Sequence, residues 1–167
     1  MPDPVDTLSI LVEAAVAIAG FSGVVVVFGR RATEEWSDLE MIRIRNLLAT
    51  SFAVLFLSLV TLLLLHAGVA PETTWVIGSA IWSAFVVVQV TQLLRNLHTT
   101  TGDPQRTSTP VVALFIGVSL ALVLLNLWNA LAFRQFWPFL AAQIWLFAVA
   151  CFTFTLLLLR GRGGQAA

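Results

Sequence analysis

The stretch LSILVEAAVAIAGFSGVVVVFGRR, residues 8–31, is an apolar run that ends in a pair of arginines. Four similar runs follow it, at about 46–67, 74–94, 110–133 and 137–159. A helix needs about 20 predominantly apolar residues to cross the hydrocarbon core of a bilayer. The sequence therefore predicts an all-α, polytopic membrane protein with five transmembrane helices, the first at about 8–28, in a single transmembrane domain spanning 1–167.

The composition agrees with this class of protein. The chain has 167 residues, of which 59% are hydrophobic and 11% charged, and its mean hydropathy is +0.93. Such a composition is too apolar for a soluble domain. A formal net charge of zero argues against a nucleic-acid partner, which would require a basic patch to neutralise phosphates.

The distribution of arginines predicts the orientation of the chain, because basic residues in short loops favour the cytoplasmic side. With five spans, eight of the nine arginines fall in the first loop, the third loop and the C-terminal segment, which share one side. Only Arg134 falls on the other side. This split predicts an N-terminus outside and a cytoplasmic C-terminus.

Local signals predict several helix limits. Ser37 and Glu40 have capping-box spacing, so the second helix is expected to begin near residue 38, extend into the cytoplasm and run to about 67. Pro110 and Pro138 are suited to first turns. Four glycines follow apolar runs and are expected to end helices: Gly29, Gly68, Gly102 and Gly161. Three tryptophans near span ends are expected to anchor the protein at the lipid interface: Trp36, Trp75 and Trp137.

Glu13 is the only acidic residue inside an apolar run, and ionisable groups in spans are candidates for function because exposure to lipid is costly. It shares a helical face with Gly20 and other slender residues, so both are candidates for a pathway. The alternative is that Glu13 reaches the outer headgroups. A second face with small-residue spacing is predicted to pack against other helices: Ala15, Ala19, Ser22 and Gly23.

Amide side chains form stripes on the third and fourth runs. The third carries Gln89, Gln92 and Asn96, and the fourth carries Asn126 and Asn129, with Ser119 on the same stripe. Amides in hydrocarbon require partners, so both stripes are expected to face protein or water. Two explanations stay open, hydrogen bonds between helices and a hydrated pathway.

Four arginines cluster at the first loop and the start of the second helix: Arg30, Arg31, Arg43 and Arg45. Pairing with the acids of the same loop or with anionic lipid headgroups would satisfy their charges, and a specific anionic ligand is the alternative. Hydroxyl groups in the second run are expected to bond back to the preceding turn.

No catalytic, metal-binding or nucleotide-binding motif occurs among the spans. His66 belongs at the outer end of the second span and His98 in an inner loop, and neither has a metal ligand at suitable spacing. The expectation is a protein without cofactor or metal that is not an enzyme. The single cysteine, Cys151, is expected to be a small packing residue.

The stretch EAAVAIAGFSGVVVVFGR, from Glu13 to Arg30, followed by Trp36 and by the sequence RIRNLL from Arg43, resembles the opening of a group of small bacterial integral membrane proteins. The likeness covers about the first third of the chain. It implies a multi-pass protein of the bacterial inner membrane. It implies no activity, because none is attached to the group, and it gives Glu13 and the glycines no role.

Together these features favour a homo-oligomeric inner-membrane channel or transport protein with a preference for cations. Five helices scarcely enclose a hydrated path alone, so several copies would surround it with the first helix nearest the axis. The alternative is a non-conducting scaffold or accessory subunit whose polar stripes fasten helices or bind a larger protein partner. The expected partners are the lipid bilayer, further copies of the chain and an unidentified protein.

Overall fold

A computed structural model describes residues 3–32, 38–99 and 108–160. Five long helices occur in these ranges: α1 (Pro4–Ala32), α2 (Asp38–His66), α3 (Pro71–Thr99), α4 (Thr109–Trp128) and α5 (Phe136–Arg160). One turn of π-helix, Asn129–Phe133, lies between α4 and α5 and is called the π turn below. All five long helices are long and apolar enough to cross a membrane, which confirms the predicted number of spans.

A glycine follows the end of α2, and a proline lies near the start of α4 and of α5. The second helix begins at Asp38 and ends at His66. Gly68 follows with φ of 78°, the left-handed conformation that glycine adopts without strain. In this conformation the amides of Gly68 and Val69 donate to carbonyls of the last turn, at 3.1 and 3.0 Å. Pro110 and Pro138 lie in the first turns of α4 and α5.

Two helix limits differ from the prediction. Gly29 does not end the first helix, because α1 continues to Ala32. A glycine inside a helix costs only about 1 kcal/mol relative to alanine, and an apolar span tolerates that cost. The fourth run is α-helical only as far as Trp128 and then widens into the π turn. Ser37, Gly102 and Gly161 lie outside the described ranges.

The chain divides into two compact units. The first unit comprises Met1–Ser58 and Leu146–Ala167, and therefore contains α1, most of α2 and the second half of α5. Its buried apolar cluster is formed by α2 and α5, with Ile18 of α1 packed against it. The buried members of this cluster are Ile44, Leu47, Ala150 and Leu157.

The second unit comprises Leu59–Trp145 and contains the end of α2, α3, α4, the π turn and the start of α5. Trp75 at the start of α3 packs on Phe136 and Phe139 of α5, with ring centroids 4.8 and 6.5 Å apart. Gly78 permits this approach, because a Cβ there would lie 2.9 Å from Cε2 of Phe139. Trp75 is therefore buried in protein and does not anchor the lipid interface, whereas Trp137 is 51% exposed.

On α2, several polar side chains are buried and several large apolar side chains are exposed. On α2, Thr50, Ser58 and Thr61 are buried, whereas Phe52 and Phe56 are exposed. Lipid tails are as apolar as leucine, so helices in a membrane associate through small and hydrogen-bonding residues. The arrangement on α2 therefore fits a helix whose outer face contacts lipid.

Candidate functional site

Asn129 joins three segments of the second unit. Its side chain is fully buried. The amide nitrogen, Nδ2, donates to the hydroxyl of Ser79 in α3 and to the carbonyl of Gln135, each at 3.0 Å. The amide oxygen, Oδ1, accepts from the backbone N–H of Gln135 at 2.9 Å. Both amide protons and the oxygen are thus used, so hydrogen bonding within the protein accounts for Asn129 without a hydrated pathway.

The backbone around Asn129 is unusual as well. The N–H of Arg134 donates to the carbonyl of Asn129 at 2.8 Å, which closes the wide loop of the π turn. Arg134 then takes φ of 51°, a left-handed conformation that is uncommon for residues other than glycine. The side chain of Asn129 bonds both backbone groups of the next residue, Gln135. Asn129 therefore stabilises the segment in which the chain reverses its direction between α4 and α5.

The rest of the polar stripe on α4 faces the start of α5. The amide nitrogen of Asn126 donates to the carbonyls of Leu122 and Pro138, at 3.0 and 3.3 Å. Seven residues earlier, Ser119 accepts from Nε1 of Trp145 at 3.0 Å. These contacts show that α4 and α5 run antiparallel and are fastened at two levels.

The amide side chains of the third run have different surroundings from those of the fourth. Gln89 is half-buried and Gln92 is exposed. Asn96 lies in α3, but its side chain is outside the part of the structure that is described. Trp82, which belongs to the same stripe, is fully buried. The structure thus joins Asn129 to the start of α3 and Asn126 to the start of α5, and it leaves the amide of Gln92 exposed among the described residues.

Glu13 is exposed, at the centre of the open face of α1. At about 100° per residue, it lies on the side of the helix opposite Ser22, which is buried. Ala15 is also buried and Ala19 is half-buried, whereas Gly23 is exposed. The predicted packing face is thus covered by the chain at Ala15 and Ser22 and open at Gly23.

Gly20 shares the exposed face with Glu13. Nothing lies within 4 Å of a Cβ built at Gly20, and the same holds for Gly23. The flanking residues Ile10 and Val24 are 65% and 51% exposed. The described part of the chain therefore covers neither Glu13 nor Gly20 on this face, which we call the Glu13 face: Ile10, Glu13, Ala17, Gly20 and Val24.

The depth of Glu13 bears on its role. The first apolar run extends from about 8 to 28, so Glu13 lies five residues, about 7.5 Å along the helix, from the start of the run. At 1.5 Å per residue, Glu13 is about 14 Å along the helix from Pro4. This depth is compatible both with contact to the outer headgroups and with a position facing further copies of the chain.

The basic cluster is only partly accessible. Arg43 is 6% exposed, so its side chain is enclosed by the protein, whereas Arg45 is exposed. The side chains of Arg30 and Arg31 lie outside the described part. Among the arginines of the cluster whose surroundings are described, Arg45 is the one open to a lipid headgroup or another anion.

Other polar residues have local roles. The hydroxyl of Thr50 donates to the carbonyl of Asn46 at 2.8 Å, as expected for hydroxyls in a span. Nδ1 of the exposed His66 lies 2.8 Å from the carbonyl of Leu62. Within the described ranges, no group of three His, Cys, Asp or Glu residues is arranged to hold a metal ion.

Ser79 and Gln135 are hydrogen-bond partners of Asn129 that the sequence pattern did not predict. Each bonds Asn129, yet Ser79 is separated from it by 50 positions. The sequence gives a weak indication of the Ser79 contact, because Gly78 and Ser79 form a pair of small residues early in α3, where another helix can approach closely. Nothing in the sequence near Gln135 indicates its contact.

No known protein family, curated protein or solved structure matches this chain. The helices themselves therefore define the class, a multi-pass α-helical membrane protein.

Proposed function

We propose that this protein is a homo-oligomeric channel or transport protein that favours cations, with α1 nearest the axis of the assembly. The observation that carries the proposal is Glu13, an exposed acid within the first apolar run. A charged side chain facing lipid is costly, and such residues normally face a bundle interior or water. Further copies of the chain would provide that surrounding.

The Glu13 face contains a small residue at which helices of neighbouring copies would be able to pack closely. Gly20 follows Glu13 by two turns, and the space around its α-carbon is open. Small residues let helix backbones approach closely in a membrane. Copies of α1 could thus meet near Gly20 and present Glu13 toward a shared axis.

Charge supports a preference for cations. Rings of carboxylates attract cations and exclude anions in channels. The exposed Asp3 and Asp6 lie near the start of α1 and would add negative potential at the same mouth. The first unit thus offers three acids per copy along one end of α1.

Ion flux through liposomes containing the purified protein tests this function. We expect the wild type to conduct cations in preference to anions, and Glu13→Gln to lower the cation-to-anion permeability ratio by about tenfold, because the carboxylate ring concentrates cations. Glu72→Gln is the matched control, since Glu72 is an exposed acid in the first turn of a different helix, α3. Identical reversal potentials for wild type and Glu13→Gln would contradict the proposed ring.

A non-conducting scaffold or accessory subunit is the second candidate. The hydrogen bonds of Asn126 and Asn129 favour it, because they use these amides to fasten helices. A larger protein partner would then cover the Glu13 face. Liposomes that show no flux with the wild-type protein would support this candidate.

The proposed setting is the bacterial inner membrane, with the N-terminus outside and the C-terminus in the cytoplasm. The distribution of arginines supports this orientation. In a Cys151→Ala background, a cysteine at Glu72 should react with an impermeant thiol reagent added outside whole cells. A cysteine at Arg106 should react only after the membrane is opened. The opposite pattern would reverse the topology.

A further inference from the structure

A buried indole N–H and a buried amide oxygen occur in the second unit, each without a hydrogen-bond partner among the described residues. Trp82 of α3 is fully buried, and its Nε1 meets no acceptor. Asn126 of α4 is fully buried, and its Oδ1 meets no donor. Nε1 is a donor and Oδ1 an acceptor, so a molecule that accepts one hydrogen bond and donates another would satisfy both.

The register of α3 against α4 places these two groups at the same level. The hydrogen bond between Ser79 and Asn129 joins the start of α3 to the residue that follows α4. The start of α3 packs on the start of α5 at two successive turns, and α5 runs antiparallel to α4, so α3 is antiparallel to α4. The residue one turn after Ser79 therefore lies opposite the residue one turn before Asn129. Those residues are Trp82 and Asn126, about 4.5 Å further into the span.

The start of α5 contributes to the same level. Gly78 of α3 meets Phe139 of α5, and the two helices run in the same direction from that contact. The same offset pairs Trp82 with Gln143, whose side chain is fully buried. Three buried polar side chains from three helices are therefore close in depth.

The orientation of the Asn126 amide is fixed by its other contacts. Its nitrogen donates to the carbonyls of Leu122 and Pro138. Exchanging nitrogen and oxygen would set Oδ1 against two carbonyl oxygens, which cannot donate. Oδ1 therefore remains the atom that requires a donor from elsewhere.

We propose that a buried water molecule binds between Trp82 and Asn126, accepting a hydrogen bond from Nε1–H and donating one to Oδ1. Water is the smallest molecule with both capacities, and buried waters characteristically satisfy polar groups of this kind. The site lies inside the second unit and is independent of the Glu13 face. It therefore holds whether or not the protein conducts ions.

Proton-detected solid-state NMR of the full chain in lipid bilayers, with 15N-labelled tryptophan indoles, tests this site. We expect a cross-peak between the indole proton of Trp82 and water, assigned by its loss in Trp82→Phe. Trp145 is the matched control, because its Nε1 already donates to Ser119. We expect no comparable water cross-peak for Trp145.

Asn126→Leu should abolish the water cross-peak of Trp82 while leaving the Trp145 signal in place, which also reports that the helices remain assembled. Absence of the Trp82 cross-peak in the wild-type protein would overturn the proposal without any variant. A coupling across a direct N–H···O hydrogen bond from Trp82 to Asn126 would also overturn it. So would a cross-peak that persists unchanged in Asn126→Leu.

Discussion

Replacing Asn129 with leucine is expected to destabilise the protein by about 3 kcal/mol, because three hydrogen bonds are lost together. The hydroxyl of Ser79 loses its donor, and both backbone groups of Gln135 lose the side chain that holds them. Leucine has a similar volume, so the loss reports hydrogen bonding more than packing. Unfolding in mixed micelles by increasing sodium dodecyl sulfate measures the change.

Two control variants distinguish the loss of the Asn129 hydrogen bonds from a general destabilisation of the second unit by any substitution. Ser119→Ala removes the single acceptor of Trp145 and should cost about 0.6 kcal/mol, the typical value for a hydrogen bond between helices in a membrane. Leu131→Ala alters an exposed residue of the π turn and should change stability little. If Asn129→Leu is no more destabilising than Ser119→Ala, Asn129 does not hold the reversal between α4 and α5.

Gly20→Leu is expected to convert the assembled protein largely to monomer, with at least about a tenfold loss of association, equivalent to about 1.4 kcal/mol. Leucine would place a large side chain where backbones of neighbouring copies approach. The fold of each chain should survive, because nothing within 4 Å opposes a Cβ at this position. Chemical cross-linking and light scattering in detergent measure the oligomer.

Gly117→Leu is the matched control for this substitution. Gly117 is an exposed glycine of α4 that also has nothing within 4 Å of a built Cβ. The two variants therefore add the same side chain to similarly open positions on different helices. Equal loss of assembly in both variants, or in neither, would contradict an interface at the Glu13 face.

The outcome of Gly20→Leu is distinct from that of Glu13→Gln. The first tests whether copies meet through α1, and the second tests whether the carboxylate governs ion selectivity. A protein that dissociates in the first test but whose wild type shows no ion flux would be an oligomeric scaffold. The two experiments thus separate assembly from conduction.

The spans and several helix limits could be predicted because their causes are local. Apolar run length determines which segments can cross a bilayer, and Gly68 ends α2 through its own backbone freedom. The π turn could not be predicted in this way. It depends on Asn129 meeting Ser79, a residue distant in sequence, and no periodicity of α4 encodes that meeting.

The sequence predicted which types of residue belong to the candidate site, but it predicted only part of what each residue does. Amides inside apolar runs required partners, and the structure supplies them for Asn129 through Ser79 and Gln135. Trp75 had the position of an interfacial anchor, yet the space at Gly78 lets aromatic rings of α5 cover it. Burial of this kind depends on which helices become neighbours, and a single span does not contain that information.

The open space around Gly20 and Gly23 has a consequence for mutational tolerance. No described atom of the chain lies within 4 Å of a Cβ at either position, so loss of function caused by a modestly larger apolar side chain there would point to contacts outside the monomer. A saturation mutagenesis scan of α1 scored in living cells would therefore map the surface that neighbours occupy. Replacements of Gly117 serve as the reference, because no atom lies within 4 Å of a Cβ built at that glycine either.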